Sequence, residues 1–356
     1  AGVNSSAIGM GAVASSDNTI AQGLSASIGK NSLGAIAIGQ NAVITGTTVT
    51  SSNDAIAIGT ASSVKNGDRA VAVGYSAYAT WTDSVAVGTS ATAAGFGAVA
   101  LGTSSVANST GALAVGLSSS AGGWGTAVGP NAAALNQSTA IGNGAVAGHL
   151  YGPTNTWKQV GAVAVGNRAD ANGNYAVSLG WYASATGDNA TALGPNATTT
   201  VASGVALGHN ATADRAGMNG ATELFSNATV ASTQGAVSVG AAGNERQIIN
   251  VAGGTQDTDA VNVRQLKASN QQIVDVIGGD TYIDSSTGEV KGPFITIGGD
   301  TYNTVADAIE GVDLGAVKYD RDAGGSVNYD SITLAGGADG TKITNVAAGD
   351  VSETST

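Results

Sequence analysis

The chain has 356 residues, a formal net charge of −12 at pH 7 and no cysteine, which excludes disulfides, cysteine-based zinc sites and thiol catalysis. With only 13 lysines and arginines, we expect no nucleic-acid partner and no direct membrane contact through a basic face. With 54 glycines and 4% aromatic residues, a single core of bulky side chains is excluded, so small residues must do the packing.

A short phrase of alternating small and aliphatic residues, closed by glycine, recurs through the first 240 residues, as in Ala-Val-Ala-Val-Gly at 70–74. Fifteen copies are recognisable, and the commonest step between their closing glycines is 14 residues. These glycines are Gly9, Gly23, Gly39, Gly59, Gly74, Gly88, Gly102, Gly116, Gly129, Gly142, Gly166, Gly180, Gly194, Gly208 and Gly240. A fixed short period of glycine and aliphatic residues predicts a β-solenoid with fifteen coils.

Each period supplies two short strands and two turns. The phrase alternates with the period of two that a strand requires, and the glycine suits a corner with positive φ or close backbone approach. Alanine and serine can fill so thin a coil, which leaves the Val, Ile and Leu side chains facing a larger space. We therefore expect a homo-oligomer in which several aliphatic rows meet on one axis.

The rhythm breaks in three places, where loops are expected to project. The first insertion covers residues 45–50, and the third holds Arg215, Met218, Glu223, Leu224 and Phe225. The second carries Tyr151, Trp157 and Lys158, which are candidate ligand contacts because exposed Tyr and Trp are favoured in binding patches. The alternative is a tolerated insertion whose aromatic rings pack on the flank of the solenoid.

Further candidate contacts are Tyr75, Tyr78 and Trp81, which share one coil, and Trp181 and Tyr182, which share another. Scattered surface aromatics without a ligand are the alternative for each of them.

After Gly240 the pattern changes to that of a short helix. Thr258 or Asp259 is a plausible N-cap. Apolar residues with 3-4 spacing and one asparagine predict a trimer seam of a coiled coil. The seam residues are Val263, Leu266, Asn270, Ile273 and Ile277.

The last part of the chain contains an echo of Gly-Gly-Asp-Thr-Tyr, at 278–282 and 298–302. We predict a short helix at 305–309, strands at 316–320 and 331–334, and a turn at Gly324 and Gly325. Residues 343–349 repeat the pattern of 249–254. This gives four predicted domains: a solenoid at 1–240, a neck with coiled coil at 241–277, a mixed α/β connector at 278–340 and a truncated second neck at 341–356.

The repeated phrase, followed by Ile-Asn-Val-Ala at 249–252 and Asp-Ala-Val-Asn at 259–262 with Gln265 and Leu266, resembles trimeric autotransporter adhesins with a YadA-like head and neck. The resemblance covers about residues 6–277. It implies a homotrimer of left-handed parallel β-rolls at the surface or outer membrane of a Gram-negative bacterium. The partners implied are host extracellular-matrix or cell-surface molecules, other bacteria or abiotic surfaces.

A signal peptide is not recognisable at the start, and no run of 18 apolar residues occurs, so we expect a fragment whose membrane anchor lies elsewhere. Two alternatives remain open: a mechanical spacer without its own ligand, and a solenoid enzyme. An acyltransferase with His149 in a loop would need a six-residue period, and Gly-Phe-Gly-Ala-Val-Ala at 95–100 lacks the helix of a dinucleotide site. We therefore expect no enzyme activity and no cofactor.

Overall fold

The computed structural model describes residues 1–47, 49–148, 161–334 and 340–347. The chain divides into two compact units, Ala1–Gln247 and Ile248–Thr356. Each unit is described by itself.

The first unit is a parallel β-solenoid. Its strands in chain order are β1 (Ser6–Ile8), β2 (Val13–Ala14), β3 (Ile20–Gln22), β4 (Ser27–Ile28), β5 (Ile36–Ile38), β6 (Val43–Thr45), β7 (Ile56–Ile58), β8 (Ser63–Lys65), β9 (Val71–Val73), β10 (Tyr78–Thr80), β11 (Val85–Val87), β12 (Thr92–Ala93), β13 (Val99–Leu101), β14 (Val106–Ala107), β15 (Leu113–Val115), β16 (Ser120–Ala121), β17 (Thr126–Val128), β18 (Ala133–Ala134), β19 (Thr139–Ile141), β20 (Val146–Ala147), β21 (Val163–Val165), β22 (Asp170–Ala171), β23 (Val177–Leu179), β24 (Ser184–Ala185), β25 (Thr191–Leu193), β26 (Thr198–Thr199), β27 (Val205–Leu207), β28 (Thr212–Ala213), β29 (Ala221–Thr222), β30 (Thr229–Val230) and β31 (Val237–Ser238).

Two parallel sheets build this solenoid. The odd-numbered strands from β1 to β27, followed by β31, form a sheet of fifteen strands, and the even-numbered strands from β2 to β28 form a sheet of fourteen. Equivalent positions stack in register, so that Val85 pairs with Val71 in the preceding coil and Val99 in the next. The predicted fifteen coils, with two strands and two turns each, are confirmed.

The interior of the solenoid is filled almost entirely by alanine and serine. The central alanine of each strand triplet, such as Ala86 or Ala100, is fully buried, while the flanking aliphatic residues are half-buried or exposed. Buried serines keep their hydroxyl groups satisfied locally; Ser105, for example, donates to the carbonyl of Gly102 at 2.9 Å. The coil is therefore too thin to cover its own Val, Ile and Leu side chains.

Both turns of a coil require left-handed backbone. The first turn, after a strand of the fifteen-stranded sheet, begins at the closing glycine, which has φ between 111° and 141° in fourteen of fifteen copies. A methyl group on Gly88 would lie 2.4 Å from the carbonyl oxygen of Gly102 in the next coil. The second turn, which leads back to that sheet, holds another left-handed residue, such as Asp83 with φ of 60°.

Two insertions fall on described residues. In the first, the hydroxyl groups of Thr47 and Thr50 lie 2.8 Å apart. The third is the antiparallel hairpin formed by β29 and β30, with Leu224 and Phe225 fully exposed near its tip. The second insertion, with His149, Tyr151, Trp157 and Lys158, lies outside the described residues.

The second unit holds two helices, α1 (Val263–Ile277) and α2 (Val305–Gly315), and two antiparallel hairpins. The hairpins are β32 (Tyr282–Ile283) with β33 (Val290–Lys291), and β34 (Ile295–Ile297) with β35 (Asp300–Tyr302). Gly311 of α2 allows close approach of the Tyr302 ring, because a methyl group there would overlap its hydroxyl oxygen. Among the described residues of this unit, the buried apolar side chains are those of Val274 and Ala308 alone.

Helix α1 begins later than predicted, so the N-cap prediction of Thr258 or Asp259 is wrong. Asn262 is the N-cap, and it forms a reciprocal capping box with Gln265. The Asp259 carboxylate instead accepts the backbone N–H groups of Thr255 and Gln256, at 2.9 and 3.1 Å, and so closes the loop before the helix.

The helix predicted at 305–309 is confirmed and extends to Gly315. The strands predicted at 316–320 and 331–334 are wrong. Those two segments meet through the Asp320 side chain, which accepts from the hydroxyl of Ser331 and from the backbone N–H of Thr333 at 3.1 Å. Side-chain bonds of this kind compete with a backbone ladder, and a single bridge between Arg321 and Val327 is what remains.

Candidate functional site

The chemistry of the described surface does not centre on titratable groups. Among the described residues, no three or more His, Cys, Asp or Glu side chains lie together so as to hold a metal ion. A search of the same residues for a helix long and apolar enough to cross a membrane finds none. Candidate function therefore rests on exposed apolar and aromatic groups.

The largest such feature is the outer face of the fifteen-stranded sheet. Each strand points its central small residue inward and its aliphatic residues outward, so that Val71, Val85 and Val99 stack in one row. A second row places Val73, Val87 and Leu101 in register. In the single chain these side chains stay half-buried or exposed.

The clearest aromatic cluster lies on the first turns of two adjacent coils. Trp181 and Tyr182 follow Gly180, and their rings contact edge to face with centroids 4.5 Å apart. Arg168, which occupies the same turn position one coil earlier, places its guanidinium carbon 5.4 Å from the Tyr182 ring centroid and donates to the Tyr182 hydroxyl. The structure thus joins the two predicted contacts and adds a cation that the sequence analysis did not single out.

Tyr75, Tyr78 and Trp81 share a coil but do not form one patch. Tyr75 lies in the first turn, Tyr78 begins strand β10 on the opposite sheet, and Trp81 lies in the second turn. A coil makes a full circuit in 14 residues, so side chains three residues apart point away from different sides of it.

An ion pair lies beside Trp81 on the second turns. Arg69 donates twice to the Asp83 carboxylate in the next coil, at 2.7 and 2.9 Å. This hydrogen-bonded guanidinium lowers the pKa of Asp83 below its usual value. Both side chains are well exposed, so the pair orients the turn more than it stabilises the fold.

The predicted trimer seam lies on α1. Val263, Leu266 and Ile273 are more than half exposed, Ile277 is about one third exposed and Asn270 is intermediate. Because the spacing 3-4-3-4 places them along one side of the helix, α1 carries an apolar stripe without a partner in its own chain.

Two exposed aromatic residues were missed by the sequence analysis, Trp124 and Tyr175. Both take the left-handed position of a second turn, and each ring lies on a glycine of the preceding coil, Gly111 or Gly161. A glycine 13 or 14 residues before an aromatic residue was the available signal.

Comparison with known proteins matches both parts of the chain to one family. Residues 1–26, 51–77, 66–91, 93–119, 159–183 and 185–211 match the family described as the YadA head domain repeat. Residues 247–288 and 342–356 match the coiled stalk of trimeric autotransporter adhesins.

Curated relatives are adhesins. The chain is 38% identical over 112 residues to autotransporter adhesin EhaG of Escherichia coli O157:H7, covering 31% of this chain and 7% of that protein. It is 38% identical over 91 residues to trimeric autotransporter adhesin AtaA of Acinetobacter sp. strain Tol 5, covering 23% and 2%. It is 36% identical over 143 residues to autotransporter adhesin BadA of Bartonella henselae, covering 33% and 4%. The chain therefore spans only a small part of the relatives it matches.

Two solved structures are similar over parts of the chain. The C-terminal YadA-like domain of a Burkholderia pseudomallei protein has 40% identity and a TM-score of 0.23, covering 26% of this chain and 46% of that one. The collagen-binding domain of the Yersinia adhesin YadA has 23% identity and a TM-score of 0.24, covering 68% and 85%. Their TM-scores are too low to support an argument about the fold.

The head repeats and the stalk motif occur in this chain in the order solenoid, then capped helix, and every matched family and curated relative is an adhesin rather than an enzyme. The chain belongs to the trimeric autotransporter adhesins.

Proposed function

We propose that this chain is a segment of a surface-exposed adhesin that works as a homotrimer, in which three solenoids pack through the outer faces of their fifteen-stranded sheets. The observation that carries the proposal is the continuous aliphatic row on that face. Burying the exposed part of each Val, Ile or Leu side chain contributes on the order of 1 kcal/mol, summed over many coils.

The second unit supports the same assembly. Its described residues bury too few apolar side chains for a core of their own. An isolated helix of the length of α1 is marginal in water. Three copies that join Val263, Leu266, Ile273 and Ile277 in one seam would bury the stripe, with Asn270 fixing the register at some cost in stability.

The proposed contact surface is the cluster of Arg168, Trp181 and Tyr182, shown three times by the trimer. Tyr75, Tyr78 and Trp81 offer smaller contacts on separate sides, and Tyr151, Trp157 and Lys158 stay candidates in the second insertion. Weak contacts of this kind combine through multivalency when the target is repetitive. Matrix proteins, cell surfaces, other bacteria and abiotic surfaces are all repetitive targets.

Charge narrows the choice of target. Three chains at −12 each carry −36, which disfavours strongly acidic targets except near a local cation such as Arg168. The proposed location is the outer membrane surface of a Gram-negative bacterium, with the anchor in another part of the protein.

The test is binding of the purified chain to immobilised collagen, fibronectin, laminin and polystyrene. A double variant, Trp181→Ala with Tyr182→Ala, is compared with Leu117→Ala. Leu117 is the matched control because it follows a closing glycine as Trp181 does and is equally exposed, at 53%.

We expect the double variant to lose binding to at least one of these surfaces and Leu117→Ala to retain it. A trimer that binds none of the four surfaces would contradict the adhesive role and favour a mechanical spacer. Equal loss in both variants would contradict the assignment of the contact to Trp181 and Tyr182.

A further inference from the structure

A second surface, on the opposite turns of the solenoid, has the features of a ligand platform. Trp124 lies in a second turn with φ of 56°, a left-handed conformation that is unusual for a bulky residue. Its backbone N–H donates to the carbonyl of Thr110 in the preceding coil at 3.0 Å, which fixes the turn. Its side chain is nevertheless 67% exposed in the single chain.

The indole ring is seated on a glycine. A methyl group placed on Gly111 would lie 2.7 Å from Cε3 and 2.9 Å from Cζ3 of Trp124, so the ring lies directly against the glycine backbone. Gly111 holds one side of the ring in place and the other side stays open to solvent. Tyr175 repeats the arrangement, since a methyl group on Gly161 would lie 2.9 Å from its Cδ1.

The surroundings of Trp124 are free of charge. The chain has no Asp, Glu, Lys or Arg from Ser84 to Trp157, whereas 11% of all residues are charged. The exposed polar groups on the neighbouring second turns are the amides and hydroxyl of Asn108, Thr110 and Gln137. Such a surface offers stacking and neutral hydrogen bonds, but no ion pair.

We propose that Trp124 and its neighbours bind a neutral saccharide. The C–H face of a pyranose ring is flat and apolar, and its rim carries hydroxyl groups, so it can stack on the open face of the indole while Asn108, Thr110 and Gln137 bond to its rim. An apolar peptide would need a groove or a sheet edge instead. Sugars in β-1,4 linkage fit best, because their equatorial substituents leave both ring faces flat.

This site is independent of the proposed contact at Trp181, so either can fail without the other. The test uses the full chain and two neutral probes, cellohexaose and chitohexaose, with a heparin hexasaccharide as the acidic comparison. Binding is followed by saturation-transfer NMR and titration. Trp124→Ala removes the platform, and Gly111→Ala keeps the tryptophan but displaces it from its seat.

Gly97→Ala is the matched control for Gly111→Ala. Gly97 holds the same turn position one coil earlier with nearly the same φ, 62° against 63°, but a methyl group there meets nothing within 4 Å. Both substitutions therefore impose the same backbone strain, and they differ in whether the new methyl group strikes the indole. Circular dichroism and melting confirm that each variant is folded.

We expect at least one neutral probe to bind, with affinity about tenfold weaker or more in Trp124→Ala and Gly111→Ala and unchanged in Gly97→Ala. No binding of either neutral probe, retention of binding by Trp124→Ala, equal loss in the two glycine variants, or preference for heparin would each overturn the proposal. Acrylamide quenching gives one more check. A Trp124 shielded from the quencher would mean that a second copy of the chain covers the ring, which also overturns it.

Discussion

The closing glycines make a sharp prediction about stability, which Gly88→Ala tests. Gly88 has φ of 137°, a conformation that costs a residue with a side chain about 1–3 kcal/mol. The added methyl group would also lie 2.4 Å from the carbonyl oxygen and 2.6 Å from the carbonyl carbon of Gly102. The neighbour is backbone, and Gly102 itself donates to the carbonyl of Val87 at 2.8 Å, so neither can move without loss of the ladder.

Displacing packed atoms of this kind costs about 1–3 kcal/mol more, so the total is about 2–6 kcal/mol per chain. Gly97→Ala is again the control, because its methyl group meets nothing and its left-handed φ costs only about 1–2 kcal/mol. For a difference of about 2 kcal/mol in a unit of this size, the melting temperature of Gly88→Ala should lie about 4–8 °C below that of Gly97→Ala.

The assay is thermal melting at equal chain concentration, together with amide hydrogen exchange across residues 71–102. Coils contact only their neighbours, so the loss of protection should centre on the two coils that Gly88 joins. Equal melting temperatures for the two variants, or uniform loss of protection along the solenoid, would refute the view that close stacking of the glycine corners holds adjacent coils together.

Three further outcomes follow from the second unit. Gln265→Ala should destabilise the start of α1 by about 1–2 kcal/mol, because its side chain bonds both the N–H and the carbonyl of Gly254, at 2.9 and 2.8 Å; unchanged amide protection at Gly254 would contradict this. Asn270→Ile should raise the melting temperature of the stalk segment while broadening its oligomeric distribution, as judged by sedimentation, and a sharper single species would argue against its role in register. The pKa of Asp259 is lowered chiefly by the N–H of Thr255, so its stabilisation is present at pH values above the ordinary aspartate pKa and is lost as pH falls through the depressed value in the fold; the Thr255 amide shift should follow that titration and become independent of pH in Asp259→Asn.

The sequence was sufficient for the solenoid because each coil repeats the same local requirements. A positive-φ glycine, a central alanine and alternating aliphatic residues recur at a fixed spacing, so every copy predicts the same strand and corner. Where the pattern was read as an isolated segment, prediction was weaker. Asp259 looked like a helix cap, but its carboxylate is held by the preceding loop, and Asn262 takes the cap instead.

Contacts between coils explain the errors at the candidate site. Residues close in sequence, such as Tyr75 and Trp81, separate because the chain turns through a whole coil between them. Residues 14 apart, such as Arg168 and Tyr182, come into contact. The seating of Trp124 on Gly111 depends on a glycine in another coil, which composition and local pattern do not reveal.

The central claim is that the aliphatic face of the fifteen-stranded sheet is covered by two further copies of the chain. Light scattering after size exclusion measures this directly. The account predicts a particle of three times the chain mass of 34.2 kDa, with the β content of the solenoid. A folded monomer or dimer with the same β content would contradict it, because the outer rows would then be stable without the proposed partners.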